Sequence, residues 1–246
     1  QIRRLVALNE GPIRLRLKST AAFEAPGRSQ NVIAEVRGRE RPDEVITIGG
    51  HLDSWDQGTG AIDDAAGIAI TTAALKLIAD LPQAPRRTIR VVWWGAEEVN
   101  QPAPAQGLAG ARAYAASIAS DVANHVAISE SDFGAGRIYG LSLPGGQADS
   151  DFQKAAMRVL TPIGVLWNPA PARGGGPDVG PSVALGVPAF QLAQDGTDYF
   201  DVHHTADDVI DRIDPKAMDQ NVAAWAALLW LIADSEVDFR VAAPTR

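Results

Sequence analysis

Short runs of β-branched and aromatic residues alternate along the chain with longer segments in which apolar residues recur at helical spacing. Runs of the first kind predict strands at residues 31–36, 45–48, 88–94, 122–129, 138–143 and 187–192. Segments of the second kind predict helices at residues 68–81, 108–118, 152–160 and 215–233. Residues 13–17 alternate apolar and basic side chains, which predicts a half-exposed edge strand. Strands that alternate with helices predict an α/β fold with a largely parallel central sheet.

Three of the predicted strands end in side chains that can bind metal ions. The first ends at His51 and Asp53, the second at Glu97 and Glu98, and the third at Asp132. In an open parallel sheet, binding sites form outside the carboxyl ends of the strands. Imidazole nitrogen and carboxylate oxygen are typical zinc ligands. The sequence therefore predicts a metal site at this edge of the sheet.

The composition restricts which ligands such a site can use. The 246 residues include no cysteine, so any zinc must be held by His, Asp and Glu. The net charge of -8, without a basic stripe, argues against nucleic acid as a partner. The chain shows no signal peptide and no apolar run long enough to span a membrane. Its length suits one catalytic domain over residues 1–246, and because residue 1 is Gln, we expect a processed form or a fragment of a longer chain.

The four histidines divide into three ligand candidates and one structural residue. His51 precedes Asp53 by two positions, and that carboxylate could accept the second ring N–H and fix the tautomer. His203 and His204 are adjacent in a polar loop, so one can bind metal while the other faces substrate. His125 lies at the start of its strand, away from the acidic edge, and we expect it to be structural.

Two pairs of adjacent acids must be divided between metal binding and other roles. Glu97 and Glu98 follow a strongly apolar strand, and because neighbouring residues point in different directions, one can bind metal while the other holds the attacking water. Asp63 and Asp64 precede a helix, so we assign the metal role to Asp63 and a share of helix capping to Asp64. Asp132 could be a turn residue, but its position after a strand favours the site.

A glycine-rich segment offers a rival interpretation. Gly58-Thr-Gly60 lies between a strand and a helix, as in a dinucleotide-binding fingerprint. The position of the third glycine holds Asp63, and an acid there would repel a pyrophosphate. We therefore set the dinucleotide interpretation aside.

Taken in order, the motifs resemble those of the co-catalytic di-zinc aminopeptidases, metallopeptidase family 28. The motifs are His51-x-Asp53, Asp63-Asp64, Glu97-Glu98, Ser131-Asp132 and His204-Thr205. The strings GGHLDSW, GTGAIDDAAG, ESDFG, GGGPDVGP and HHTADD are similar to the carboxypeptidase Q (plasma glutamate carboxypeptidase) branch of that family. The resemblance covers residues 31–233, nearly the whole chain, and the motifs are highly specific when taken together.

The resemblance implies a fold and a division of roles. The fold would be a three-layer sandwich in which helices flank a mixed, mostly parallel sheet of eight strands. Five residues would hold two zinc ions per chain: His51, Asp63, Glu98, Asp132 and His204. Asp63 would bridge both metals, Glu97 would be the general base, and Asp53 would support His51. Three further residues match positions near the substrate pocket: Asp178, Tyr199 and His203.

The activity implied is that of a metallo-exopeptidase, an aminopeptidase or dipeptidase that cleaves the bond next to a free N-terminus of a peptide or dipeptide. The carboxylates of Asp63, Glu98 and Asp132 and one hydroxide would balance the charge of two zinc ions. Two alternatives stay open. A single-zinc glutaminyl cyclase-like enzyme would need fewer ligands, and a receptor-like binding domain would have lost Glu97 or some of the ligands.

Two features depart from the family pattern. The QPAPAQG segment at residues 101–107 looks like an insertion after the glutamate pair. We also expect the chain to lack the protease-associated-type domain that lies upstream in longer relatives. Substrate preference and quaternary state, a homodimer included, therefore stay open. Relatives of this branch are often exported, so the resemblance favours a periplasmic or secreted location.

Overall fold

The computed structural model describes residues 2–8, 11–20, 22, 27–99, 107–145, 147–148 and 150–240. In this part of the chain the strands are β1 (Val32–Val36), β2 (Arg41–His51), β3 (Arg87–Trp94), β4 (His125–Glu130), β5 (Ile138–Ser142), β6 (Leu166–Trp167) and β7 (Gln191–Gln194). The helices are α1 (Ile2–Leu8), α2 (Ala66–Ala79), α3 (Ala109–Ile118), α4 (Asp151–Leu160), α5 (Gly180–Ala184), α6 (Tyr199–Val202) and α7 (Pro215–Asp234). A π-helical turn, Ala61–Ala65, leads into α2.

The strands form two sheets that meet at one parallel bridge. The larger sheet has the order β1-β3-β2-β4, and the smaller has the order β6-β5-β7. β2 runs parallel to β3 and β4, and β5 runs parallel to β6, whereas β1 and β7 are antiparallel to their neighbours. The bridge joins Ile128 of β4 to Ala189, and it is closed by hydrogen bonds with Pro188 and Phe190. The two sheets therefore continue one mixed, mostly parallel layer.

The number and position of the strands differ in part from the prediction. The described residues contain seven strands rather than eight. The expected edge strand at residues 13–17 is wrong: Leu15 and Leu17 are 75% and 91% exposed, so the alternating pattern has no buried face to occupy. The last strand begins at Gln191 rather than at residue 187, because residues 188–190 form a single bridge to β4 and not a continuous ladder.

Helices cover both faces of the sheet layer, which confirms the predicted class. On one face, α2 and α7 pack against Ile89 and Val91 of β3, and Trp225 of α7 is fully buried there. On the other face, Tyr114 of α3 packs edge-on against Trp94 of β3. Burial of an Ile or Val side chain contributes roughly 1.5–3 kcal/mol to stability. Of the helices described, none combines the length and the apolar character needed to cross a bilayer.

Two glycines let backbone segments approach each other closely beneath the acidic edge. A Cβ atom on Gly67, at the start of α2, would lie 1.8 Å from the carbonyl oxygen of Ser131. Gly175 has a φ of +95°, and a Cβ atom there would lie 2.0 Å from the carbonyl oxygen of Glu130. Neither position has room for a side chain, and the positive φ favours glycine. The end of β4 is thus held between α2 and the glycine-rich loop, which fixes the position of Asp132.

Candidate metal centre

Five side chains from five separate segments converge at the carboxyl edge of the larger sheet. β2 ends at His51, and the segments after β3 and β4 carry Glu98 and Asp132. The π-helical turn carries Asp63, and the loop after α6 carries His204. These are the five residues that the sequence predicts as ligands. The first three meet because β2, β3 and β4 are parallel neighbours in the sheet.

The five residues form two groups of potential ligands that share Asp63. The inner group is His51, Asp63 and Asp132, the outer group is Asp63, Glu98 and His204, and the ligand atoms of each lie within 4.8 Å of one another. In the inner group, His51 Nε2 lies 3.1 Å from Asp63 Oδ1 and 3.6 Å from Asp132 Oδ1. In the outer group, His204 Nε2 lies 3.1 Å from Asp63 Oδ2 and 2.8 Å from Glu98 Oε1. Each oxygen of Asp63 therefore faces a different histidine.

The donor set and its burial fit divalent cations such as zinc. Asp132 Oδ1 is buried and has no hydrogen-bond partner among the described residues, which is rare for a carboxylate oxygen. The side chains of His51 and Asp63 are only 1% and 4% exposed. Buried carboxylates are unfavourable unless a cation or hydrogen bonds compensate their charge. Because imidazole and carboxylate are typical zinc ligands, each group could hold one metal ion.

Protonation equilibria within the inner group reflect this crowding of charges. Burial lowers the pKa of His51, but the adjacent carboxylates of Asp132 and Asp63 raise it by more. The pKa of His51 therefore lies well above its usual range. Burial also raises the pKa of Asp132. The His51 imidazole thus holds a proton beside these carboxylates, and a metal cation binding there would displace it.

Glu97 lies beside the inner group and has the properties of an acid–base catalyst. Ligand atoms of His51, Glu97 and Glu98 also come within 4.8 Å of one another. Burial raises the pKa of Glu97 to about 8. The nearby Glu98 carboxylate also raises this pKa, whereas His51 lowers it. A carboxylate with a pKa in this range can both accept and release a proton near neutral pH. A bound cation would lower that pKa.

Asp53 supports the site differently from the prediction. His51 Nδ1 lies 2.8 Å from the backbone carbonyl oxygen of Asp53 and is not bonded to its carboxylate. The carboxylate instead accepts hydrogen bonds from the N–H groups of Glu97 (2.9 Å) and Glu98 (3.0 Å). Ala96, just before them, has a φ of 60°, which a residue other than glycine adopts only where its surroundings enforce it. Asp53 therefore fixes the turn that presents both glutamates.

Two further aspartates hold the turn that carries Asp63. Asp208 accepts hydrogen bonds from the N–H groups of Ile62 (2.6 Å) and Asp63 (3.3 Å). Asp64 accepts one from Gly67, in the first turn of α2, and one from the last residue of β2, both at 3.1 Å, so it ties the start of the helix to the sheet. Asp208 is the last residue of the HHTADD string, and sequence reasoning assigned it no role.

The residues predicted near the substrate pocket lie around the centre. The rings of Tyr199 and His203 stack with centroids 4.7 Å apart, and Phe133 stacks on Tyr199 at 4.9 Å. Burial and the nearby carboxylates of Asp132 and Asp63 raise the pKa of Tyr199 above its usual range, so the hydroxyl stays protonated. Asp178 is fully buried, and burial raises its pKa to about 7.

Two residues at the centre were missed by the sequence reasoning. Glu130, the last residue of β4, is 1% exposed and accepts a hydrogen bond from the Asp178 N–H at 2.9 Å. Trp55 donates from Nε1 to Glu98 Oε2 at 2.7 Å, and its ring centroid lies 4.9 Å from that of His204. Trp55 closes the GGHLDSW string, so its position four residues after His51 was the available signal.

Two cavities lie beside the acidic edge and share Phe133. The smaller one, of about 430 Å³, is also lined by Arg173 and Gly176. A Cβ atom on Gly176 would lie 2.8 Å from Asp132 Cβ, so the wall of this cavity adjoins the inner group. The larger one, of about 700 Å³, is also lined by Tyr199, whose ring stacks on Phe133. Space for a small organic ligand is therefore present next to the ligand groups.

One of the four histidines lies apart from the centre. His125 starts β4, at the end of the strand opposite to Asp132, and packs edge-on against Tyr114. Burial lowers the pKa of His125 to about 4, so it is a neutral residue of the core. The insertion-like segment at residues 101–107 lies outside the described residues, except for Gly107.

Comparisons with known proteins point to one family. The model of Peptidase family M28 matches residues 31–229. Carboxypeptidase Q of Homo sapiens is 35% identical over 222 residues, which are 90% of this chain and 45% of that protein. The chain spans about half the length of the curated relatives it matches.

Solved structures give the same result. A peptidase M28 precursor from Shewanella amazonensis SB2B is 49% identical, with a TM-score of 0.76, over 87% of this chain and 47% of that one. A zinc aminopeptidase from Bacillus subtilis is 19% identical, with a TM-score of 0.63, over 84% of this chain and 50% of that one. A glutaminyl cyclase from Fimbriiglobus ruber is 16% identical, with a TM-score of 0.58, over 84% of this chain and 75% of that one. The last two are similar in fold alone.

Proposed function

Because the chain belongs to peptidase family M28, we propose that it is a zinc-dependent exopeptidase, an aminopeptidase or dipeptidase that hydrolyses the bond next to a free N-terminus. The observation that carries this proposal is the sharing of Asp63, whose two oxygens lie 3.1 Å from His51 Nε2 and 3.1 Å from His204 Nε2. A carboxylate between two histidine-containing groups suits two metal ions, and we propose two zinc ions per chain. Carboxypeptidase Q among the similar proteins supports the class of reaction.

The residues around the centre have three proposed roles, which are metal binding, proton transfer and positioning. The inner zinc would be held by His51, Asp63 and Asp132, and the outer zinc by Asp63, Glu98 and His204. Zinc at these positions would supply a Lewis acid and lower the pKa of water. Glu97 takes the proton from the attacking water and returns it to the leaving amine. Asp53 keeps Glu97 in place through the main-chain N–H, so that proton transfer occurs over a fixed distance.

The proposed substrate is a peptide or dipeptide. The cavity of about 430 Å³ beside Asp132 lies within the size range of small-molecule sites, and Phe133 and Gly176 form part of its wall. Asp178 and Tyr199 are the proposed contacts to a substrate held there. The name of the relative carboxypeptidase Q supports a peptide substrate.

A single-zinc cyclase explains the site less well. Such an enzyme needs one group of ligands, and either the inner or the outer group would suffice. The second histidine-containing group, complete and sharing Asp63, would then have no purpose. The likeness to a glutaminyl cyclase concerns the fold, so it does not favour that reaction.

The metal content tests the proposed function directly. Protein purified at neutral pH with zinc supplied should contain two zinc ions per chain, because two complete ligand groups are present. Elemental analysis measures this ratio. A chelator should abolish hydrolysis of dipeptides and aminoacyl amides, and added zinc should restore it. One tightly held zinc ion, or none, would contradict the two-metal arrangement.

The adjacent histidines should respond differently to substitution. His204→Ala is expected to lower the zinc content, because it removes the only imidazole of the outer group. His203→Ala should keep both zinc ions and mainly change kcat or KM, because His203 stacks on Tyr199 beside the centre. Each variant serves as the control for the other when zinc content and kinetics are measured together. The reverse pattern would show that His203 is the ligand.

A further inference from the structure

Trp55 contacts both side chains that only the outer group contains. Its Nε1–H donates to Glu98 Oε2 at 2.7 Å, while Glu98 Oε1 faces His204 Nε2 at 2.8 Å. The indole and His204 rings have centroids 4.9 Å apart and planes tilted by 32°. One residue thus restrains the carboxylate through a hydrogen bond and the imidazole through ring contact.

The hydrogen bond gives the two oxygens of Glu98 different partners. With Oε2 occupied by the indole N–H, Oε1 is the oxygen that faces the outer group. An N–H donor on the second oxygen of a ligating carboxylate orients the group and stabilises its charged form. The contact therefore selects which oxygen of Glu98 is available to an ion.

The position of Trp55 is not explained by core packing. The residue is 44% exposed, which is unusual for a large aromatic side chain that is held in place. Its loop is instead tied to the loop of His204: the Thr59 N–H and hydroxyl both donate to the carbonyl oxygen of Asp208, at 2.8 Å and 3.1 Å. A Cβ atom on Gly58 would lie 2.7 Å from the carbonyl oxygen of Thr205, so the two loops are in direct contact.

The inner group has a support of a different kind. His51 is buried, and its Nδ1 is bonded to a backbone carbonyl oxygen at 2.8 Å. The side chain of His204 is 38% exposed, and its backbone has a φ of 58°, a conformation that must be imposed by its surroundings. Its ring also lies against His203, with centroids 4.3 Å apart. The imidazole of the outer group thus depends on neighbouring side chains, whereas the inner one is held by the fold.

We propose that Trp55 is a positioning residue for the outer metal position, which it supports selectively by holding Glu98 and His204. The proposal rests on the proposed function, since it requires that the outer group binds zinc. Substitution of Trp55, which is not itself a ligand, should therefore change the zinc affinity of the outer position and not that of the inner one.

The test is a zinc titration of metal-free protein against a competing chelator, with Trp55→Phe and Trp55→Ala compared with wild type. Trp55→Phe keeps a ring near His204 but removes the N–H, and Trp55→Ala removes both contacts. His204→Ala and His51→Ala identify which binding phase belongs to the outer and which to the inner position. Trp230→Phe, on α7 and packed against the main core, is the matched control.

Zinc affinity at the outer position should fall about tenfold in Trp55→Phe and up to about 100-fold in Trp55→Ala, the usual range for a residue that orients a ligand. Affinity at the inner position, and both affinities in Trp230→Phe, should stay as in wild type. Equal weakening of both positions, or no change at either, would overturn the role of Trp55 while leaving the exopeptidase proposal intact. Wild-type protein that binds fewer than two zinc ions would overturn both.

Discussion

Glu97→Gln is expected to bind both zinc ions and to turn over peptide substrates very slowly. Glutamine keeps the shape of the side chain but cannot accept the proton of the attacking water. Loss of a general base commonly lowers the rate by about 10²–10⁴-fold. KM should change little, because the proton transfer belongs to the transition state and not to substrate binding. The measurement is kcat and KM for a dipeptide on protein whose zinc content has been determined.

The neighbouring glutamate provides the matched control for this experiment. Glu98→Gln removes a carboxylate from the outer group. Because a neutral amide is a poorer ligand, this variant should bind one of its zinc ions more weakly or lose it. The two variants differ by one position in the same turn, and both main-chain N–H groups are bonded to Asp53. Near-normal turnover by a Glu97→Gln protein that holds two zinc ions would disprove the assigned mechanism.

Asp63→Ala is expected to have the largest effect on metal content of any single substitution. Asp63 belongs to both ligand groups, and each of its oxygens faces one of the two histidines. Its loss leaves two protein ligands at each position instead of three. Both zinc ions should therefore be lost or held much more weakly, and hydrolysis should fall to background. Zinc content and activity after gel filtration in zinc-free buffer measure this.

The control for Asp63→Ala must also remove a carboxylate. Asp219→Asn on α7 does so at an exposed position and should keep both zinc ions and full activity. A circular dichroism spectrum like that of wild type would show that Asp63→Ala is folded. Retention of one tightly bound zinc ion by the folded variant would show that Asp63 is not shared between the two positions.

Much of the centre could be predicted because the sheet edge has a simple sequence signature. An apolar strand followed at once by acids or histidine occurs at His51, Glu97-Glu98 and Asp132, and the parallel order of β2, β3 and β4 brings these ends together. The α/β class with a mixed, mostly parallel sheet is confirmed. The alternation at residues 13–17 misled because periodicity indicates an amphipathic strand only where a neighbouring strand exists to pair with it.

The supporting contacts could not be predicted in the same way. The carboxylate of Asp53 reaches main-chain N–H groups 44 and 45 positions away, and that of Asp208 reaches groups 145 and 146 positions away. Backbone N–H groups carry no sequence signal, so their acceptors are identified only once the turns are folded. The sequence indicated that Asp53 supports His51, and it does so through its carbonyl oxygen, an atom that every residue has.

The hydrogen bonds of Asp53 and Asp208 also have a thermodynamic consequence. They hold the turns that carry Glu97, Glu98 and Asp63 with groups of the protein itself, independently of any ion. Fixing the backbone of one residue costs about 1–2 kcal/mol in conformational entropy. If a loop became ordered only on metal binding, each residue that it ordered would reduce the metal affinity by this cost. Here the hydrogen bonds of the protein meet this cost during folding, so we expect these turns to be preorganised and loop ordering to reduce the metal affinity little.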